Sequence, residues 1–247
     1  MQDTDCSFLL SEHRFLGQDW RRMEVVQKLQ LWIDPMARAG PEAMAVDEWL
    51  LENATLPVLR VYLWLGEWAS VGYFGKIADA QTSIGGVQWV RRWTGGGTVD
   101  HRADWTYTLV VPQGEPLAAL RGAESYRAIH AALADILTVE GVDARMSRGA
   151  EETGAALCFE NPVSHDLIGT DGRKIAGAGQ RRSRQGLLHQ GSVSAQCRDE
   201  EAFQKRAKSL ADRLSHRWEV FSLTPDQQNL AQKVAARYER SEWTNRR

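Results

Sequence analysis

Apolar and polar positions alternate with period two in several short runs of this chain and recur at helical spacing in others. Leu59, Val61 and Leu63 alternate with Arg60, Tyr62 and Trp64, the pattern of a half-buried strand. Gly66 breaks that run, and Trp68 to Tyr73 reads as a short return. Trp105, Tyr107, Leu109 and Val111 alternate with Thr106 and Thr108 until Pro112, which has no N–H to continue the pairing. Leu29 to Ile33 and Val87 to Arg92 read as further strands. From Asp166 onward the pattern is a β-meander: Asp166 to Ile168, a hairpin turn at Asp171-Gly172, Arg173 to Arg181, a second turn over Ser183 to Gly186, then Leu187 to Val193.

Helical spacing takes over elsewhere. Gly40-Pro41 opens a helix reaching about Asn53, with proline where its missing N–H is tolerated. Met44, Val46, Trp49, Leu50 and Leu51 make that helix apolar nearly all round, which predicts burial. Glu124 to Glu140 keeps Tyr126, Ile129, Leu133, Ile136 and Leu137 in step and meets Gly141, a suitable stop. Phe203, Ala207, Leu210 and Leu214 form one face of a later helix. A last helix starts at Thr224-Pro225, with Gln227 placed for a capping box. Arg145 to Ala156 is polar and glycine-containing, the composition of a mobile loop. Residues 1–22 are polar and weakly periodic, and read as a disordered arm or an early start ahead of Met23. Residues 23–247 read as one domain.

Composition narrows the class. The chain has 247 residues, 43% hydrophobic and 25% charged, ordinary for a soluble globular protein. A net charge of −2 argues against a general nucleic-acid or membrane-surface binder. Apolar runs fall short of the roughly 18 residues a membrane span needs, and the N-terminus lacks a signal-peptide pattern. Cys6, Cys158 and Cys197 form no CxxC and are odd in number, which suits a reducing cytoplasm and free thiols. The histidines lack metal-ligand spacing, so no metal site is expected.

Candidate chemistry collects in two stretches. In the first, Arg91 and Arg92 lead through Trp93 and Thr94 into Gly95, Gly96 and Gly97, and His101 follows. Consecutive glycines open the backbone to φ > 0 and to close approach by a ligand. The flanking guanidiniums could hold a carboxylate, a phosphate or an acidic partner. The same residues also suit a flexible hairpin loop beside a surface basic pair. Because the loop joins strands and GxxxxGK[ST] is absent, a Walker-type nucleotide site is rejected.

The second stretch carries Lys174, Gly177, Ala178, Gly179 and Gln180, then Leu188-His189-Gln190-Gly191-Ser192. A lysine among small residues can serve a ligand as base or as fixed cation, or can guard an edge strand. Cys158 reads as a small buried hydrophobe, or as a nucleophile if Lys174, Arg181 and Arg182 lie near enough to favour its thiolate. His101 and His189 could shuttle a proton or make structural hydrogen bonds. His165-Asp166 carries a weaker signal. Arg173, Arg181, Arg182 and Arg184 form a basic cluster, either a solvated face or a dock for an acidic protein.

Together these stretches resemble the lipoate–protein ligase and octanoyltransferase family, relatives of the biotin ligases. The resemblance is carried by Met44-Ala45-Val46-Asp47-Glu48, Arg91 to His101, Lys174 to Gln180, Leu188 to Ser192 and Tyr238 to Trp243, in the family's order. It implies an α+β single domain: a central mixed or antiparallel β-sheet, a smaller second sheet and packed helices. It also implies transfer of an octanoyl or lipoyl group to a lysine of a lipoyl domain, such as glycine cleavage H protein or a 2-oxoacid dehydrogenase E2. Lys174 would contact the acyl carbonyl. Arg91, Arg92, Thr94, the Gly95–Gly97 loop, His101, Gly177, Ala178, Gln180, His189 and Gly191 would line the substrate site.

Two chemistries occur in the family. Ligases activate the free acid with ATP and Mg²⁺. One transferase branch takes the acyl group from acyl carrier protein through a cysteine thioester and needs no cofactor. Cys158-Phe159 ahead of the Lys174 strand resembles that branch's nucleophile motif, and the chain ends near Arg247 without the accessory domain many ligases carry. Gly97 is the more ligase-like feature, and Trp93 is bulkier than the usual residue. The resemblance thus implies a cytoplasmic, monomeric cysteine acyltransferase, with an ATP-dependent ligase and a non-catalytic acyl- or lipoyl-domain-binding module as alternatives.

Overall fold

Alternate residues of an extended strand point to opposite sides of its sheet, and both sides are covered here. The computed structural model describes residues 24–149, 163–195 and 197–246. The chain begins with β1 (Leu29–Ile33), α1 (Gly40–Asn53), β2 (Val58–Tyr62), β3 (Trp68–Val71), α2 (Ile77–Gln81) and β4 (Gln88–Arg91). Then come β5 (Val99–Asp100), β6 (Trp105–Pro112), α3 (Pro116–Ala119), α4 (Gly122–Val139) and β7 (Arg145–Met146). Next are β8 (Leu167–Ile168), β9 (Lys174–Arg182), β10 (Gly186–Val193), α5 (Glu200–Leu214), β11 (Trp218–Val220), α6 (Pro225–Tyr238) and α7 (Ser241–Thr244). Among the described residues, a large mixed sheet runs β11-β1-β2-β6-β10-β9-β8-β7 and a small one β4-β3-β5.

On one face of the large sheet Leu59, Val61, Tyr107, Leu109, Val111 and Leu187 pack against Ile129, Leu133 and Leu137 of α4 and Leu210 and Leu214 of α5. On the other, Val58, Val110 and Leu188 meet Val46, Leu50 and Leu51 of α1 and Ala231 of α6. The meander runs β8-β9-β10 as its turn signals predict, and Gly172 holds φ +76 in the first turn. Thr224 and Gln227 form the expected capping box of α6, and Gly141 ends α4 at φ +82.

Three expectations are corrected. β2 is not half-buried: Arg60 and Tyr62 are as enclosed as Leu59 and Val61. Its second face meets α1 rather than water. Trp68 to Tyr73 does not return along β2. β3 leaves for the small sheet, where it pairs with β4 in parallel and β5 antiparallel. Arg145 and Met146, placed in the expected loop, form β7 against β8. β11, whose Glu219 and Val220 are exposed, is held by parallel pairing to β1 and gave no alternation to read. Residues 1–22 lie outside the described residues. No helix among the described residues is long and apolar enough to cross a membrane.

Arg60 accounts for the buried polar layer on the α1 side. Its guanidinium pairs with Asp47 at 2.6 Å and Asp34 at 2.9 Å, all fully enclosed, and donates to the Ala43 carbonyl. Burial alone would weaken its hold on the proton, but the two carboxylates outweigh that and raise its pKa. Asp47 also accepts from Thr108 of β6 and Gln190 of β10, both at 2.7 Å. One carboxylate of α1 therefore joins three strands.

Candidate active site

Period two and register together build the cleft. Thr106 and Thr108 stand opposite Ser192 and Gln190 in the β6–β10 ladder, so four polar side chains share the α1 side of the sheet. Facing them are Met44, Tyr62, Trp64, Val99 and the glycine loop. The cleft between them is narrow, with Arg92, Gly96, His101, Gly177, Ala178 and Gly191 also in its walls.

Glycines are required where this loop meets the sheet. A Cβ on Gly179 would stand 2.4 Å from the Gly95 carbonyl oxygen, and one on Gly72 would stand 2.0 Å from that of Gly96. Arg92 fixes the loop's shape, donating to the carbonyls of Gly95 (3.2 Å) and Gly97 (2.8 Å) and to Ser70 Oγ (2.6 Å). Thr94 is buried and donates to Gln190 Oε1 at 2.8 Å, which ties the loop to Asp47 through one amide.

Arg91 departs from the expected ligand-binding role. It is buried, and its guanidinium donates to the carbonyls of Gly72, Tyr73, Gly75, Trp243 and Thr244. The Trp243 indole returns a bond to the Arg91 carbonyl at 3.0 Å. Glu48 accepts from Tyr238 at 2.6 Å and pairs with Arg237. Glu48 and the Tyr238 to Trp243 stretch therefore seat the C-terminal helices, while Asp47 ties α1 to the strands of the large sheet. Trp93 stacks between Arg181 (4.1 Å) and Arg237 (5.1 Å), and its bulk serves that contact.

Lys174 lies at the start of β9 and folds back over Gly177. A Cβ on Gly177 would meet Lys174 Cε at 2.3 Å and Nζ at 2.5 Å. The ammonium pairs with Asp166 Oδ2 at 2.6 Å, with both side chains almost fully enclosed. Cys158 lies outside the described residues.

His101 keeps both nitrogens engaged. Nδ1 donates to Asp104 at 2.8 Å, and Nε2 accepts from the Ser70 hydroxyl at 2.6 Å. Its ring stacks on Trp64 at 4.0 Å, so it offers the cleft a flat face. His189 does not line the cleft. It is wholly buried, with Nδ1 accepting from Gln180 and Nε2 on the Tyr107 hydroxyl. Burial first, then the neighbouring His130, holds its pKa well below the ordinary value. A neutral structural imidazole results, and Gln180 is its partner. Of the two roles read for it, proton shuttle or structural hydrogen bond, the geometry fits the second, and His189 is not among the substrate-site walls where it was expected.

Sequence reasoning missed Trp64, Asp104, Thr106, Gln190 and Ser192 as wall or network residues. Gln190 and Ser192 stood beside His189 in a quoted motif, and their shared face with Thr106 and Thr108 follows from period two once the β6–β10 register is known. Among the described residues, no group of three or more His, Cys, Asp or Glu could hold a metal ion.

Residues 40–227 match the family model described as the lipoyl protein ligase A/B catalytic domain. The chain is 30% identical to octanoyltransferase LipM of Kyrpidia tusciae, over 83% of this chain and 94% of that protein. It is 34% identical to octanoyltransferase LipM of Carboxydothermus hydrogenoformans, over 67% of this chain but 65% of that protein. Among solved structures, a putative lipoate protein ligase from Thermoplasma acidophilum with bound lipoic acid superposes with TM-score 0.70 at 18% identity, covering 91% of this chain and all of that one. Lipoate-protein ligase A bound with ATP gives TM-score 0.69 at 18% identity, over 90% of this chain and 99% of that one.

Proposed function

From the premise that this chain belongs to the lipoyl protein ligase A/B catalytic-domain family, we propose that it is an octanoyltransferase. It moves an octanoyl or lipoyl group from acyl carrier protein to a lysine of a lipoyl domain. The observation that carries this reading is the enclosed Lys174 ammonium over Gly177, a residue that lines a narrow cleft faced by the glycine loop. An apolar acyl chain favours a dry slot, and one fixed donor at its end favours charge developing on a carbonyl oxygen.

In this reading Cys158, having lost its proton, attacks the carrier thioester as thiolate, the carrier sulfur leaves as a thiolate that takes up that proton, and an acyl-enzyme thioester remains. Lys174 donates to the acyl oxygen. The ε-amine of the incoming lysine then attacks, the amide forms, and the departing Cys158 sulfur takes up the proton. The reaction belongs with carrier proteins in the cytoplasm and requires one copy of the chain. Against the ATP-dependent alternative, Arg91 and Arg92, which would face an adenylate phosphate, are engaged with main-chain carbonyls and Ser70.

Intact-protein mass after mixing with octanoyl-carrier protein tests the route. Wild type is expected to gain one hydroxylamine-labile octanoyl group, and Cys158→Ala none. ATP-dependent acylation of a lipoyl domain by both proteins, without that adduct, would overturn it.

Chain length gives a second test. Tyr62, Trp64 and His101 line the cleft and also a second, polar and more open hollow that includes Glu67, Arg102 and Asp104. The stacked Trp64–His101 pair is thus a partition. Trp64→Ala is expected to join the spaces and admit longer chains, each further methylene gaining at most the roughly 0.8 kcal/mol of full burial. The dodecanoyl-to-octanoyl ratio of kcat/KM should rise about tenfold or more. An unchanged ratio would place the limit on chain length elsewhere.

A further inference from the structure

The segment before β8 is fixed at more points than its length requires, and all of them bear on one carboxylate. Asp166 Oδ2 accepts from the Val163 N–H at 2.9 Å as well as from Lys174. The Asp166 N–H donates to the Val163 carbonyl, and the Asp166 carbonyl accepts from Ser147 N–H at 2.7 Å. His165, just before it, sits at φ +73, a left-handed conformation that a residue with a Cβ rarely adopts. Its N–H donates to the Ser147 carbonyl, and its own carbonyl accepts from His130 Nδ1 of α4 at 2.6 Å. Strained backbone persists where the surroundings over-determine it, and it clusters at functional sites.

A buried ion pair is a poor device for stability, since apolar residues of similar volume do as well. This pair sits over Gly177, where any side chain would collide with Lys174 Nζ and with Asp166 Oδ1, the latter at 2.9 Å. The chain leaves its smallest residue in the cleft wall so that the pair can occupy that spot.

We propose that Asp166 is a positioning residue of this site: it holds Lys174 as an ammonium over Gly177, so that Lys174 acts as a donor to the acyl oxygen and not as a base. The inference rests on the octanoyltransferase reading for the identity of the acyl group. Among the described residues, the titratable groups around the pair are His130 of α4, His165 and Tyr107 of β6. Burial first keeps His130 below its ordinary pKa, so it adds no charge near neutral pH, and burial keeps the Tyr107 phenol neutral. The carboxylate of Asp166 is the group that changes sign in the test.

The test pairs transfer rates against pH with NMR of ¹³Cε-labelled lysine in wild type, Asp166→Asn and Asp166→Glu. Removing the carboxylate lets burial favour the neutral amine, so the Lys174 pKa should fall in Asp166→Asn. Transfer should drop about a hundredfold at alkaline pH, mainly in kcat, with the deficit shrinking as pH falls and the ammonium returns. Asp166→Glu should restore part of the rate and the ammonium signal. Equal or faster transfer by Asp166→Asn at alkaline pH would make Lys174 a base and overturn the proposal. A pH-independent deficit with an unchanged Lys174 titration would also overturn it, by reducing Asp166 to a packing role. A wild type that transfers no octanoyl group would instead refute the assigned function, and the lysine titration would still decide whether Asp166 holds the ammonium.

Discussion

Gly177→Ala is expected to lower the rate of acyl transfer about a hundredfold while leaving the protein folded. The added methyl would lie 2.3 Å from Lys174 Cε and 2.5 Å from Nζ. Both atoms belong to the far end of a flexible side chain, so the clash is relieved by swinging the ammonium aside. That movement loosens the enclosed pair with Asp166 and costs some stability, offset in part because alanine suits an extended strand slightly better than glycine does. It costs the chemistry far more, because a misplacement of about 1 Å at a reacting centre is worth on the order of 10² in rate. Thermal unfolding and single-turnover transfer should be measured on the same sample. A folded variant with wild-type turnover would show that the reaction does not use the ammonium where the structure holds it. Gly179 offers a contrast: its Cβ would meet the Gly95 carbonyl oxygen at 2.4 Å, a main-chain atom with no flexible end to move.

The largest loss of stability is expected at Arg60, far from any reacting atom. Arg60→Met keeps much of the side chain's bulk but leaves Asp47 enclosed without its cation and Asp34 with Arg38 alone, at 2.7 Å. Stranding a buried partner in this way costs about 3–5 kcal/mol. For a chain of this size about 2–4 °C of melting temperature accompanies each kcal/mol, so the midpoint should fall by roughly 10 °C. The effect should also reach the cleft. Asp47 holds Gln190, Gln190 accepts from Thr94, and Thr94 leads into the glycine loop. Urea unfolding checks the first part, and weakened acyl binding by the folded variant checks the second. A loss below about 1 kcal/mol would mean that the two carboxylates find other partners or that water reaches them.

Most of the architecture is legible in the sequence because hydrophobic periodicity and turn chemistry are local. Leu29 to Ile33, the Gly40 to Asn53 helix, the Asp171-Gly172 turn and the Thr224–Gln227 cap all fall where the residues predict. The quoted motifs also carried the family. Local pattern could not tell that β2 is covered on both faces, since an arginine reads as solvent-facing until its carboxylate partners, 13 and 26 residues away, are in place. Nor could it tell that two adjacent arginines, Arg91 and Arg92, have separate duties. One ties down the C-terminal segment and the other shapes the glycine loop.

What the sequence determined by itself is therefore the set of elements and the identity of Lys174, Gly177 and the glycine loop as special positions. Spacing alone left each of them open between a ligand site and a plain loop or edge-strand role, and the family resemblance is what singled them out. Only the tertiary structure decided what those positions touch. Asp166 reaches Lys174 because the β8–β9 turn folds one over the other, and Trp64 becomes a partition because His101 lies 37 positions further along the chain and stacks on it. Direction of side chains across a register, and which carboxylate ends beside which cation, depend on long-range pairing that no local window of sequence contains.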